Sequence, residues 1–223
     1  MNLVKTGDGS HTIFVPEYNE HYHSSFGAIT ESQHVFINTG LALFRSGKKI
    51  TIFEIGFGTG LNALLSCIFA IENKMHITYY ALEKNPVDNH FIMQLNYPAM
   101  VQTSGNATEL FQTIHHAPWD QTITIAEGFY LHKIHADLVG YVPWFRYDLV
   151  YFDAFAPEKQ PEMWSQEIFN ALYHNLNPHG VITTYCVKGD VKRKLKQAGF
   201  QIQKLPGPPG KREILRGTRD HSE

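Results

Sequence analysis

An α/β fold with a mostly parallel sheet is predicted by three features of this sequence. From Lys49 onward, short β-branched runs alternate with helical ones. One run, Tyr147-Asp148-Leu149-Val150-Tyr151-Phe152, is nearly continuous in apolar residues, as suits a strand covered on both faces. A glycine-rich stretch links the first strand of the alternation to its first helix. The 223 residues suit one such domain with a small appendage, and 43% apolar with 18% charged residues is the balance of a chain with a real core.

The elements follow in order. Residues 1–38 are polar and rich in His, Tyr and Ser, and read as an N-terminal extension with a hairpin: Thr6-Gly7-Asp8-Gly9-Ser10 is turn chemistry and Thr12–Val15 a short strand. Residues 39–223 form the main domain. Its first strand is Ile50–Ile55, followed by an apolar helix from Leu61 to Ile71 and a strand Ile77–Leu82. Asn85-Pro86 reads as an N-cap with proline in the first turn of a helix running towards Leu95. Asn106-Ala107-Thr108-Glu109 opens a short helix ending near His115. Glu127-Gly128 marks a hairpin between Thr122–Ala126 and Phe129–Ala136. After the strand at Tyr147–Phe152 come a helix over Pro161–Leu176, a strand Val181–Cys186 and a basic helix Asp190–Gln197 closed by Gly199. Two final strands, Phe200–Leu205 and Glu213–Arg216, have no helix between them, so they pair antiparallel at the sheet edge.

Composition excludes several classes. The two cysteines, Cys67 and Cys186, lie in apolar stretches without metal-ligand spacing, and the 13 His are scattered, so no metal is expected. The N-terminus has no apolar core of a signal peptide, and no apolar run is long enough to span a membrane. A cytoplasmic setting without a membrane partner is the expectation. Charge is uneven: from Lys188 to Glu223 ten Lys and Arg face four Asp and Glu, a net +6 against −8 for the rest. This suggests a polyanionic partner, or else a solvated basic helix.

The stretch Glu54-Ile55-Gly56-Phe57-Gly58-Thr59-Gly60-Leu61-Asn62 carries the first chemistry. Glycines between a strand and a helix let the backbone turn tightly and approach a ligand, and the helix start offers free N–H groups. The spacing is G-x-G-x-G, not the G-x-G-x-x-G of dinucleotide sites. Glu54 would repel a pyrophosphate but suits the amino group of S-adenosylmethionine, which has no phosphate. Glu83, at the end of the second strand, suits a ribose diol. Asp137, beyond the strand ending at Ala136, is placed to reach an adenine amino group. Gly56, Phe57, Gly58, Thr59, Gly60 and Asn62 complete the expected cofactor set, and the reading is an S-adenosylmethionine-dependent methyltransferase.

The strand ending at Phe152 leads into Asp153-Ala154-Phe155-Ala156-Pro157. Ligands in open α/β sheets sit beyond the carboxyl ends of strands, so Asp153 is the candidate catalytic residue, with helix capping as the plain alternative. Four stretches together resemble the methyltransferase part of the tRNA 5-methylaminomethyl-2-thiouridine biosynthesis family. They are Gly27–Ser32 with Val35-Phe36, Glu54–Asn62, Asp153–Pro157 with Pro161-Glu162-Met163-Trp164, and Gly207 with Gly210–Leu215. The resemblance runs from about Gly27 to Gly217, with Ala154 and Ala136 where the family commonly has glycine.

That resemblance implies a Rossmann-like class I methyltransferase with a seven-stranded sheet. It implies methyl transfer to the 5-aminomethyl group of a wobble (2-thio)uridine in tRNA. Family members are often fused to a flavin-dependent oxidase; no such pattern lies in this chain, so no flavin is expected, no obligate protein partner is deducible, and a separate enzyme must supply the aminomethyl uridine. Asp153 would orient the amine and accept its proton, with loop carbonyls near Ala154 and Phe155 sharing the task. Phe155, Trp164 and Tyr185 are candidates to stack on a flipped uracil, with core packing as the alternative for each. Pro157 lies in the same loop, and Lys188, Lys192, Arg193, Lys211 and Arg212 are candidates for phosphate contacts. Two other readings compete: a methyltransferase for a small-molecule or protein amine, and a catalytically silent RNA-binding module.

Overall fold

The computed structural model describes residues 1–44, 47–103 and 105–220. Residues 221–223, the end of the basic segment, lie outside the described residues. The chain opens with three short strands, β1 (Asn2–Lys5), β2 (His11–Val15) and β3 (Glu20–His21), paired antiparallel in that order. A one-turn helix α1 (Ala28–Ser32) runs on into a π-helical turn, Gln33–Asn38. The alternation then begins: β4 (Lys49–Ile55), α2 (Leu61–Glu72), β5 (His76–Glu83), α3 (Asn89–Ile92), α4 (Tyr97–Met100) and α5 (Ala107–His116). It continues through β6 (Thr122–Ala126), β7 (Phe129–His135), β8 (Tyr147–Phe152), α6 (Gln166–Asn175), β9 (Leu176–Thr184), α7 (Gly189–Ala198), β10 (Gln201–Pro206) and β11 (Glu213–Thr218).

The main sheet has the order β10-β11-β9-β8-β4-β5-β7-β6. Its five inner strands, β9, β8, β4, β5 and β7, are parallel, and β11 inserts antiparallel between β9 and β10. This is the expected Rossmann-like arrangement with one difference: the sheet has eight strands, not seven. The Glu127-Gly128 turn folds β6 back onto β7 and adds an antiparallel edge strand. Strands β4 and β8 lie at the centre with helices on both sides. Their residues fill two apolar layers, one containing Ile52, Leu64, Tyr79 and Tyr151, the other Phe53, Val150, Phe169 and Leu215. This double coverage is why the Tyr147–Phe152 run is so uniformly apolar. None of the helices among the described residues is long and apolar enough to cross a membrane.

Two helix boundaries differ from expectation. Asn85 does not cap a helix, because its N–H donates to Glu83 Oε1 at 2.8 Å and holds it in the turn after β5. Asp88 takes the capping role, accepting from His90 N at 2.7 Å. The helix expected over Pro161–Leu176 is split: Pro161–Trp164 forms a 3₁₀ turn, and Ser165 Oγ caps α6 anew by accepting from Ile168 N at 3.3 Å.

Within the N-terminal segment, the turn between β1 and β2 is tied to α1 through Asp8. Its Oδ2 accepts from the Thr30 N–H at 2.9 Å and Thr30 Oγ1 at 2.8 Å, satisfying a free donor in the first turn of α1, and its Oδ1 accepts from Ser10 N at 3.0 Å. Burial pushes the Asp8 carboxyl up, but the hydrogen bonds from Ser10 and Thr30 outweigh it and hold the group well below the usual carboxylate range. Its stabilising effect is therefore present above the unfolded-state value and is lost as pH falls through the lower folded value. Asp8→Ala should cost about 1–3 kcal/mol at neutral pH by urea denaturation. The gap from the parent chain should narrow as pH falls below about 4.

Candidate active site

The carboxyl ends of β4, β5, β7 and β8 open into a cavity of about 550 Å³. Strand order reverses here: the chain leaves β4 towards β5 on one side, while β8 flanks its other side. That switch point is where open α/β sheets bind ligands. Gly56, Phe57, Gly58, Thr59 and Asn62 line the cavity together with Glu83, Asp137, Asp153, Phe155 and Lys211. The structure thus gathers ten of the expected site residues around one space.

The glycine loop is shaped by close approach. Gly56 has φ +89°, and a Cβ there would lie 2.9 Å from the Asp153 carbonyl oxygen. Its N–H donates to the Leu82 carbonyl at 2.9 Å, so the loop is seated between β5 and the turn after β8. At Gly58, also at positive φ, a Cβ would meet the Tyr22 ring at 3.0 Å. Gly60 caps α2 at φ +71° and packs towards His115, away from the cavity. Thr59 is buried and its hydroxyl lies 2.7 Å from His23 Nε2.

The acids occupy distinct environments. Glu83 Oε2 accepts from Gly58 N at 3.0 Å, which clips the glycine loop to the end of β5. Asp137 pairs with Lys84 at 2.6 Å and accepts from Val139 N, so its carboxylate meets a cavity ligand only in competition with Lys84. Glu54 is fully buried and lies behind the cavity wall, not on it. Its carboxyl faces the Asn62 amide and the Tyr79 phenol without a well-aligned hydrogen bond. Burial, then the nearby Asp153, push it well above the usual carboxylate range. The expectation for Glu54 is a contact with a cofactor amino group, directly or through water; in the structure Glu54 is off the cavity wall, and its neighbour Asn62 is on it.

Asp153 follows the last residue of β8, and its N–H donates to the Ile55 carbonyl at 3.1 Å. Asn62 Nδ2 donates to Asp153 Oδ2 at 2.8 Å, while Oδ1 has no hydrogen-bond partner among the described residues. Burial raises this carboxyl, and the Glu31 charge adds to that; the Asn62 hydrogen bond and Lys211 pull it back, leaving it at about 7. The following loop is held on three sides. Tyr185 OH donates to Ala154 O at 2.8 Å, Trp164 Nε1 donates to Phe155 O at 2.8 Å, and Glu20 Oε2 accepts from Ala156 N at 3.1 Å. The carbonyls of Ala154 and Phe155, expected to help hold an amine, are thus already engaged by protein donors.

The remaining expected residues separate. Trp164 is 1% exposed and packs against Phe152 and Phe169, so its ring cannot stack on a substrate; it fixes the Phe155 carbonyl instead. Pro157 lies in the loop but off the cavity wall. Lys188 pairs with Glu158 at the surface, and Arg212 is exposed. Sequence reasoning missed the wall opposite the sheet. Tyr18 and Tyr22 lie with ring centroids 5.1 and 5.0 Å from Phe155, and Glu20, His23 and Glu31 line the same side. The signals were the His- and Tyr-rich composition of the N-terminal segment and the Gly27–Ser32 stretch.

A family model described as S-adenosyl-L-methionine-dependent methyltransferase matches residues 101–220, more than half of the chain. The chain belongs to this family. The methyltransferase is 32% identical over 234 residues to the tRNA 5-methylaminomethyl-2-thiouridine biosynthesis bifunctional protein MnmC of Burkholderia thailandensis, covering 96% of this chain and 34% of that protein. It is 32% identical over 223 residues to the MnmC protein of Burkholderia multivorans, covering 92% and 33%. The chain therefore spans about a third of the length of these relatives. The crystal structure of MnmC2 from Aquifex aeolicus superposes with a TM-score of 0.79 at 24% identity, over 100% of this chain and 72% of that one, which shows a shared fold. The family match begins downstream of the glycine loop but includes Asp153, Trp164 and Lys211.

The Gly56 geometry gives a test of the cofactor loop. Gly56→Ala combines a strained positive φ with a contact on the Asp153 carbonyl. A penalty of about 1–3 kcal/mol should appear in isothermal calorimetry as S-adenosylmethionine affinity reduced by about tenfold or more.

Proposed function

We propose that this methyltransferase transfers a methyl group to a primary amine, the 5-aminomethyl group of a wobble (2-thio)uridine in tRNA. The observation that carries the reading is Asp153: a half-buried carboxylate with one oxygen fixed by Asn62 and the other unpartnered among the described residues, lining a cavity at the strand switch point. The similarity to proteins named for 5-methylaminomethyl-2-thiouridine biosynthesis supplies the substrate class.

The residues fit the cofactor of this family. Glycines whose Cβ atoms would collide with Asp153, Tyr22 or His115 let the loop turn tightly against the protein, and the backbone of Gly56 and Gly58 lines the cavity. Gly56, Phe57, Gly58, Thr59 and Asn62 would hold S-adenosylmethionine with Glu83 and Asp137, while Glu54 and Gly60 support the loop from behind. When bound, it supplies a methyl group already activated on a sulfonium.

The protein's own part is to receive and orient the amine. An alkylamine has a pKa near that of lysine, about 10.4, so it arrives as an ammonium that cannot attack. Asp153 Oδ1 hydrogen-bonds that ammonium, orients it, and takes its proton directly or through water. Asn62 keeps the carboxylate from rotating away. Phe155, flanked by Tyr18 and Tyr22, forms an aromatic wall for a base taken out of its stack. Lys188, Arg212 and the exposed cations of α7 meet phosphates outside the cavity.

The test is direct. The protein is incubated with S-adenosylmethionine and undermodified tRNA, the tRNA is digested, and mass spectrometry should find one methyl added to 5-aminomethyl uridine. Absence of product with cofactor binding intact would sink the tRNA reading and turn attention to free or protein amines. Asp153→Ala should abolish transfer yet leave the cofactor dissociation constant within a few fold. Because Asp153 is active ionised, kcat/KM should fall as pH drops through about 7.

A further inference from the structure

Lys211 does not point where its neighbour does. Arg212 is exposed, but Lys211 lines the cavity with its Nζ 3.1 Å from Glu31 Oε1 and 4.9 Å from the centre of the Tyr185 ring. The inward turn is built into the β10–β11 connection. Gly207 N donates to Arg212 O at 3.1 Å and Lys211 N to Pro208 O at 2.9 Å. Gly210 has φ +85°, and a Cβ there would run into the Phe26 ring. A phosphate contact at the molecular surface is not what this geometry prepares.

Glu31 is held as firmly. Its side chain is 10% exposed, and Oε2 accepts from Ser24 N at 2.7 Å. The groups that act on Asp153 are Glu31 on α1, Asn62 on α2 and Lys211 in the β10–β11 connection. Asp153 in turn acts on Glu54 of β4, Tyr79 of β5, Tyr97 of α4 and Tyr185 after β9. Burial pushes the Glu54 carboxyl well above the usual carboxylate range. That leaves Glu31 and Asp153 as two acids near one another, and Lys211 as the cation among this group. Two like charges in a desolvated space resist joint ionisation unless a counter-ion is fixed beside them.

We propose that Lys211 is a positioning residue for the base: anchored by Glu31 above the Tyr185 ring, it is the shared counter-ion that lets Glu31 and Asp153 both carry negative charge in the cavity. The role in catalysis rests on the reading of Asp153 as the proton acceptor. The sign follows from charge alone. Removing the cation makes Asp153 harder to ionise, and removing the Glu31 charge makes it easier.

Two measurements on the full chain separate this from other outcomes. In the first, the Asp153 carboxyl carbon is followed by NMR through a pH titration without tRNA. Lys211→Met should move its midpoint up by about one pH unit, Glu31→Gln should move it down by a similar amount, and Lys211→Arg should restore it nearly to the parent value. In the second, the acid limb of kcat/KM on tRNA should move in parallel, with the salt dependence of KM unchanged. If Lys211→Met lowers kcat/KM equally at every pH and flattens the salt dependence, Lys211 is a phosphate contact and the proposal fails. The proposal also fails if Glu31→Gln and Lys211→Met both fold and either leaves the midpoint at the parent value. If the NMR midpoints shift as expected while the parent chain methylates no tRNA, the tRNA reading is wrong and the counter-ion role stands.

Discussion

The contact between Gly56 and the backbone of Asp153 sets the rest of the site. Adjacent parallel strands β4 and β8 end at the same level, and each turns out of the sheet there. Two outgoing backbones fit side by side only if one lacks a Cβ, and Gly56 is that residue. With the turns packed together, the Asp153 N–H pairs with the Ile55 carbonyl and the Asn62 amide reaches the Asp153 carboxylate from the first turn of α2. The cofactor loop and the acid are therefore one backbone unit, and a change in either is felt by the other within the first coordination of hydrogen bonds.

Charge is arranged around that unit in layers. Glu54 lies deepest, its carboxyl held well above the usual range; Asp153 comes next, half satisfied by Asn62; Glu31 and Lys211 form the outer pair. Burial is the largest influence on both Glu54 and Asp153, and it pushes both carboxyls up. What distinguishes them is partners. Glu54 has no aligned donor among the described residues, whereas Asp153 has the Asn62 amide and Lys211. Two acids on neighbouring segments thus meet different partners, and of the two it is Asp153 that faces the cavity.

The parts legible in the sequence were those fixed by local rules. The alternation of strands and helices, the glycine turn and the acid after β8 follow from periodicity, positive φ and strand-end position, none of which needs a distant partner. The helix start at Asn85 was misread because Glu83, two residues earlier, takes its N–H; a side chain reaching back to a strand end outcompetes a capping preference. Trp164 reads equally well as a base-stacking ring or a core ring, and only the packing of Phe152 and Phe169 around it decides. Glu20 was invisible for a simpler reason. Its partner, Ala156 N, is 136 residues away, and a polar segment gives no periodic signal of what it will cover.

The engaged carbonyls of the Asp153 loop sharpen the chemistry. In a freely exposed loop, the Ala154 and Phe155 carbonyls would compete with Asp153 for an incoming ammonium, and a cation held by carbonyls keeps all its protons. Here Tyr185 and Trp164 donate to those two oxygens, and Glu20 anchors the next N–H. The strong acceptor left facing the cavity on this loop is Asp153 Oδ1, an oxygen that can remove a proton as well as hold one. Residues behind the loop, Trp164 above all, thereby take up its carbonyls. That accounts for a large aromatic ring being buried completely at the edge of a polar site: its indole N–H is needed at one carbonyl, and the Phe152 and Phe169 rings hold it there.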